Sequence, residues 1–176
     1  GIEGMISSCR YARTHNVPYF GICLGMQICV IEFARSVLGY RDANSREFDE
    51  VCEHAVIDLM KDQQGVIMGG TMRLGSYPCK VESGTILEKA YGAELINERH
   101  RHRYEFNNDY REEMQAVGLT ISGTSPNGTL VEAVEVHGSS GKDKQRFHVG
   151  VQFHPEFKSR PNKPSPLFVE FLKACR

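Results

Sequence analysis

The sequence predicts an α/β fold in three layers, helices on both faces of a sheet, and three observations carry that reading. A short apolar run at 17–22 changes at Cys23 into an apolar run over 24–31 that is too long for a strand and is punctuated by Gln27 and Glu32. Helical and strand patterns then alternate along the chain, which favours helices packed on a sheet over a bundle or a sandwich. A late run, Phe147-His-Val-Gly-Val-Gln-Phe153, reads as another buried strand and is followed by a Pro-broken loop and a closing helix.

Taken in order, the chain opens with a helical pattern over about residues 4–15 and no strand before it. An open α/β sheet normally begins with a strand, so the sequence reads as a fragment lacking its first strands. Residues 17–22 are the first strand, Cys23 the turn, and the helix that follows has a C-cap candidate in Gly39. Residues 40–50 are polar, with Asp42, Asn44 and Ser45, and read as a loop. Residues 51–62 are ambiguous between helix and strand. The stretch 71–83, with Gly75 and Pro78 inside it, reads as strand and turn, and 85–91 as a short helix. Residues 94–107 read as one strand and 108–118 as a helix. Two β-rich runs, 119–123 and 130–136, are joined by the turn Ser125-Pro-Asn-Gly128. Residues 137–145 are rich in Gly, Ser and Lys and read as a mobile surface loop; the last helix runs over 167–174.

Bulk properties narrow the class. A chain of 176 residues suits one domain. A formal net charge of −1 carries no basic excess that would point to nucleic acid. The apolar stretch at 19–34 contains Gln27 and Glu32 and is too short and polar to span a bilayer, so no membrane is expected. Six cysteines without a Cys-x-x-Cys or disulfide-dense spacing point to a reducing, cytoplasmic setting.

The chemistry centres on Gly21-Ile-Cys-Leu-Gly25. Glycines two residues either side of a nucleophile are the mark of the sharp strand-turn-helix elbow, here with sulfur in place of a serine oxygen. Such a turn strains the nucleophile's backbone and predicts that both glycines are needed for space. A thiol at a helix N-terminus meets the positive end of the macrodipole, which favours thiolate. Leu24 can offer its backbone N–H to an oxyanion, Gly25 and Met26 extend the same first turn, and the Gln27 amide, one turn on, can overlook the pocket. The bland alternative is that Cys23 is a small buried hydrophobe.

His154-Pro-Glu156 supplies the other half. Proline restrains His154 to the extended region, and residues two apart in an extended chain share a face, so His154 and Glu156 can project together as base and orienter. Alone, a His-x-Glu pair is more often ordinary surface; beside a cysteine elbow it completes a nucleophile–base–orienter set. Between these halves lies Arg99-His-Arg-His-Arg-Tyr104. In one strand, Arg99, Arg101 and Arg103 share one face, with His100, His102 and Tyr104 on the other. Phosphate contacts, a carboxylate clamp and a His-x-His metal site are the three readings, the last disfavoured because no further ligands sit at a fixed spacing.

Gly21-Ile-Cys-Leu-Gly-Met-Gln27 and Phe153-His-Pro-Glu156 resemble the motifs of the triad-type, class I glutamine amidotransferases. Residues 42–49, Gly69-Gly-Thr-Met-Arg-Leu-Gly75 and Asn97-Glu-Arg-His-Arg-His-Arg-Tyr-Glu-Phe-Asn107 extend the likeness, over nearly the whole chain, to the glutaminase domains of the CTP synthase family. The resemblance implies a flavodoxin-like, open, mostly parallel sheet with an added antiparallel β portion. It implies Cys23, His154 and Glu156 as the catalytic set, Glu47 for the α-ammonium of L-glutamine and Arg103 for its α-carboxylate, leaving Arg99 and Arg101 as structural or interdomain residues and Arg73 without an assigned role. It further implies a glycine-rich oxyanion loop upstream of Gly1 and a synthetase domain in the same polypeptide. That domain would aminate UTP to CTP with ATP and Mg, with GTP as activator and a homo-oligomeric whole; no cofactor or metal is expected in residues 1–176 themselves. Two other classes remain open, a cysteine peptidase-like hydrolase and a catalytically silent regulatory module.

Overall fold

The computed structural model describes residues 1–59, 72–137 and 147–176. Helix α1 (Ile2–Thr14) buries Ile6, Cys9 and Ala12, three residues apart and so on one face. Strand β1 (Tyr19–Ile22) leads into helix α2 (Leu24–Phe33), which is buried from Gly25 to Phe33. Buried on every side, α2 has no solvent face and sits in the core; each of its fully buried Ile, Val and Phe side chains contributes roughly 1.5–3 kcal/mol. One polar side chain on it, Glu32, is held by a fork from Arg13 of α1, both contacts 2.8 Å. The helix runs on through a π-helical turn, Ala34–Leu38, and stops at Gly39, whose φ of 83° only glycine adopts freely.

Next come β2 (Asn44–Ser45), β3 (Ala55–Leu59), β4 (Arg73–Val81) and α3 (Ile86–Tyr91). The Thr85 hydroxyl accepts from Glu88 N–H at 3.1 Å and caps α3, while the Glu88 carboxylate takes the Gly84 N–H at 2.7 Å. Strand β5 (Leu95–His102), strand β6 (Tyr104–Phe106), a 3-10 turn at Asn108–Tyr110 and helix α4 (Arg111–Ala116) follow. The chain ends with β7 (Leu119–Thr124), β8 (Val131–Val136), β9 (His148–Val151) and α5 (Pro166–Ala174).

Among the described residues the strands form two sheets, one in the order β1-β9-β8-β7-β4-β5 and the other β2-β3-β6. One core, on the α1 and α2 side, takes in Ile6, Ile28, Ile31, Ile121 and Val134; the opposite core joins Leu87 of α3 and Leu167 of α5 to Ala133, Val149 and Val151. Helices thus cover both faces of the large sheet, as the three-layer reading expects. No helix among the described residues is long and apolar enough to cross a membrane.

Three details differ from the sequence reading. The parallel part of the sheet is small: β1 with β9, and β2 with β3, are parallel, while β9-β8-β7-β4-β5 and β3-β6 pair antiparallel. The antiparallel portion dominates because β7 and β8 are joined by the short Ser125–Gly128 turn, too short for a parallel crossover. The loop expected at 40–50 contains β2. The single strand expected over 94–107 breaks at Arg103 into β5 and β6, which belong to different sheets. The ambiguity over 51–62 resolves as strand, with β3 at 55–59, and the strand-and-turn stretch 71–83 contains β4 at 73–81. Residues 60–62, Gly69, Gly70 and Thr71, and all but His137 of the surface loop expected at 137–145, lie outside the described residues.

Candidate active site

Strands β1 and β9 run side by side in the same direction, Ile22 opposite Val151, so the segments leaving their carboxyl ends emerge together. Cys23 leaves one end and the 152–156 segment the other. The Cys23 N–H continues the pairing to Val151 O at 2.7 Å, and its carbonyl accepts from the Met26 N–H at 3.0 Å, which starts α2. Between these two bonds the backbone is forced to φ 50°, ψ −101°, a strained conformation for a residue with a Cβ.

The two flanking glycines are not equivalent. A Cβ on Gly21 would lie 2.5 Å from both the carbonyl carbon and oxygen of Gly25, an impossible overlap with backbone. A Cβ on Gly25 would meet only the Tyr19 hydroxyl, at 3.7 Å, an ordinary contact. The expectation that both are needed for space therefore holds for Gly21 alone. Tyr19 braces the turn, its hydroxyl donating to Gly25 O at 2.7 Å.

The thiol expected to be activated by the helix end is instead pushed up from its ordinary value. Burial is the main cause; the Leu24 N–H and the Gln152 amide pull in the other direction, and the charges of Glu156 and Glu47 add to the rise. The dipole is present, but desolvation outweighs it. Gln152 Nε2 lies 3.6 Å from the sulfur, and the sulfur's other contact is Arg101 O at 3.9 Å.

His154 is anchored by its own N–H donating to Arg99 O at 2.7 Å, and its ring stacks on Phe157 with centroids 4.8 Å apart. Nδ1 meets Glu156 Oε1 at 2.6 Å. A 3-10 turn over Pro155–Phe157 brings the two together, not the extended chain expected from the sequence. Nε2 is buried without a hydrogen-bond partner among the described residues, so the imidazole–sulfur contact is not closed here.

Gln27 is buried and turned inward: its Nε2 donates to Tyr104 O at 2.9 Å and Gln152 Oε1 at 3.3 Å. It reaches Cys23 through Gln152 and does not overlook the pocket directly as expected. Glu47, after β2, has its N–H on the Ser45 hydroxyl at 3.2 Å, and its charge reaches the Cys23 thiol. Arg103 stands half-buried at the break between β5 and β6, its Nε buried without a partner among the described residues. It no longer shares the exposed face of Arg99 and Arg101, because the strand ends at His102.

The imidazoles on the other face are structural. His100 Nδ1 meets His102 Nε2 at 3.0 Å, and His102 Nδ1 meets Tyr104 O at 3.1 Å. Burial and the Arg73 charge push His100 down to about 2 and His102 down to about 4, so both are neutral. The Glu132 carboxylate, 3.6 Å from His100, is engaged by Arg73 at 2.6 Å.

The sequence reading missed Gln152 and Tyr19. The parity that pairs His154 with Glu156 also puts Gln152 on the His154 side of an extended chain, so a signal for Gln152 was present.

A family model described as glutamine amidotransferase class-I matches residues 1–174. The chain is 59% identical over 175 residues to a CTP synthase of Rubrobacter xylanophilus, covering 99% of this chain and 31% of that protein. It is 58% identical over 175 residues to a CTP synthase of Carboxydothermus hydrogenoformans, covering 99% and 32%. The chain thus spans about a third of the length of these curated relatives. Among solved structures, the glutaminase domain of Trypanosoma brucei CTPS with bound acivicin matches with a TM-score of 0.90 and 41% identity, over 99% of this chain and 66% of that one. A glutamine amidotransferase from Thermotoga maritima shares the fold at a TM-score of 0.54 and 17% identity, over 88% and 47%.

Proposed function

The chain belongs to the class I glutamine amidotransferases, and on that footing we propose that it hydrolyses L-glutamine to glutamate and ammonia through a thioester on Cys23. The observation that carries the proposal is the pairing of His154 with Glu156 at 2.6 Å, with Nε2 left over, beside a strained cysteine elbow at the ends of two adjacent parallel strands.

Because burial raises the thiol, the resting sulfur carries its proton, and the reaction begins with its transfer to His154 Nε2. The sulfur attacks the side-chain amide carbon. The oxyanion is held by the Leu24 N–H, with a second donor proposed from a glycine-rich loop upstream; one such donor contributes roughly 100- to 1000-fold. The imidazolium then protonates the departing nitrogen, ammonia leaves, and the γ-glutamyl thioester remains. His154 next takes a proton from water, hydroxide adds to the thioester carbon, and the returned proton frees the Cys23 thiol and glutamate. Glu156 holds Nδ1–H and thereby fixes the tautomer that aims Nε2 at the chemistry.

Glu47 and Arg103 carry the charges that a free amino acid needs. Glu47 would take the α-ammonium, and Arg103, with a buried Nε lacking a partner, the α-carboxylate. Pairing with the ammonium would also cancel the Glu47 charge that raises the thiol, so the substrate would lower the pKa of its own nucleophile. Leu24, Gly25 and Met26 would line the substrate through backbone, and Gln27 would act through Gln152.

The ammonia is proposed to feed an ATP-dependent amination of UTP to CTP in a synthetase domain of the same polypeptide, with GTP as activator. The likeness to proteins three times this length supports that reading. Six unpaired cysteines support a cytoplasmic setting. The test is intact-mass analysis after exposure to an electrophilic glutamine analogue: one adduct, lost in Cys23→Ala, is expected. A Cys23→Ala protein that still released ammonia from glutamine would overturn the assignment.

A further inference from the structure

Away from the elbow, three groups with affinity for soft metals meet in the core. Cys9 of α1, Cys29 of α2 and His148 at the start of β9 are 0%, 1% and 0% exposed. Their sulfur and nitrogen atoms all lie within 4.8 Å of one another, and Cys9 Sγ is 3.6 Å from His148 Nε2. Each comes from a different element, so tertiary folding alone assembles the set. The proposed glutamine chemistry uses none of them.

A packing role explains this cluster poorly. His148 has one polar contact, with the Cys9 sulfur, and its Nδ1 is buried without a hydrogen-bond partner among the described residues. An aliphatic side chain would fill that position without stranding a polar atom. Tyr19 stacks on the imidazole at 4.7 Å, the planes 21° apart, and Nε2 faces the Cys9 sulfur at 3.6 Å. The sulfur–nitrogen spacing is also suitable. Ligands at about 2.3 Å for sulfur and about 2.0–2.1 Å for nitrogen, set at tetrahedral to trigonal angles, stand roughly 3.6–3.8 Å apart. Arg13, one turn beyond Cys9 on the same face of α1, brings a positive charge to the edge of the cluster.

We propose that Cys9, Cys29 and His148 form a buried site for a thiophilic d10 cation, Cu(I) being the match to two sulfurs and one imidazole. Soft thiolate ligands select Cu(I), which is content with three donors, whereas structural Zn(II) asks for four. The nearest further carboxylate, Glu32, one turn past Cys29, is already held in the Arg13 fork. On binding, the two thiols release their protons, Nε2 supplies its lone pair, and no oxidation state changes. Arg13 offsets part of the negative charge of the two thiolates. The bound ion would staple α1 to α2 and β9, the two elements from which Cys23 and the His154 segment emerge.

The experiment is anaerobic titration of the purified, reduced protein with Cu(I) buffered by a competing chelator, and in parallel with Zn(II). One equivalent of Cu(I) is expected, with two sulfurs and one nitrogen in the X-ray absorption spectrum and a higher melting temperature. Cys9→Ala and Cys29→Ala should each weaken uptake at least a hundredfold, while Cys175→Ala should not. Melting of the metal-free variants separates loss of the site from loss of the fold; if one fails to fold, the other and His148→Gln carry the test. Equal uptake by Cys9→Ala, tighter binding of Zn(II) than of Cu(I), or a Cys9–Cys29 disulfide formed in air by a protein that binds no Cu(I) when reduced would each overturn the proposal.

Discussion

His154 Nδ1 lies 2.6 Å from Glu156 Oε1, while the other ring nitrogen, buried beside the elbow, has no hydrogen-bond partner among the described residues. That arrangement assigns unequal tasks to the two residues. His154→Ala removes the proposed proton carrier and should lower kcat for glutamine by about a thousandfold or more. Glu156→Gln keeps the turn and a hydrogen-bonding group and should cost clearly less. Steady-state kinetics on both variants decide it; a His154→Ala protein with most of its activity would remove the base assignment.

Glu47→Gln should raise two measured quantities, the reactivity of the free thiol and the KM for glutamine. Its charge helps to raise the Cys23 thiol, so its removal should speed alkylation by a small neutral reagent at pH 7.5. Loss of the ammonium partner should raise the KM for glutamine. Arg103→Ala should raise that KM by roughly 10- to 100-fold with a smaller effect on kcat, since the contact is made equally to bound substrate and transition state. An unchanged KM would point to Arg99 or Arg101 instead.

Gln152→Leu removes the side-chain donor nearest the Cys23 sulfur, 3.6 Å away. The thiol, already above its ordinary value, should rise further. Alkylation followed against pH should show a midpoint above that of an unperturbed thiol in the wild type and higher again in the variant. At neutral pH the variant should react about tenfold more slowly. Coincident profiles would mean that the amide does not serve the sulfur.

The glycines flanking the elbow should separate cleanly. Gly21→Ala drives a methyl into Gly25 backbone at 2.5 Å and should destabilise by about 3 kcal/mol or more. Gly25→Ala makes only an ordinary contact with the Tyr19 hydroxyl, at 3.7 Å, and should melt within a few degrees of wild type. Thermal denaturation of the two proteins measures the difference.

Acid should weaken the fold through His100 and His102. In the unfolded chain both protonate as pH falls through about 6.5. In the folded chain His102 resists to about 4 and His100 to about 2. Between those limits the unfolded state binds more protons, so these groups stabilise fully above about pH 6.5 and their contribution declines as pH drops. Glu132, itself raised by burial, acts in the opposite sense in the acidic part of that window. Urea midpoints measured from pH 7 to 4.5 should fall, and fall less in His102→Gln.

The elbow was legible because its requirements are local. A change of period at Cys23 and a glycine pressed against the next turn are both written within a few residues. The His154–Glu156 pair was legible for the same reason, although a 3-10 turn and not a strand achieves it. Strand direction was not, since the buried side of β5 is Ile96, Glu98, His100 and His102 and β8 is buried throughout, patterns that do not say which way a neighbour runs. The break at Arg103 depends on β6 pairing with β3, nearly fifty positions earlier, and no periodicity records such a partner. The state of the Cys23 thiol was misread because the helix dipole is visible in sequence and the burial opposing it is not.

The parallel pairing of β1 with β9 also has a temporal consequence. Cys23 and Gln152, in contact across it, are 129 positions apart in the chain. A ribosome delivers the cysteine long before the imidazole, at about 5–20 residues per second. For several seconds of every synthesis the nascent chain carries the proposed nucleophile without its proposed base, and loop closure over that span is among the slowest contacts the fold must make. On the proposed function, glutamine hydrolysis would be withheld until the last strand docks, and a chain interrupted before residue 157 should release no ammonia.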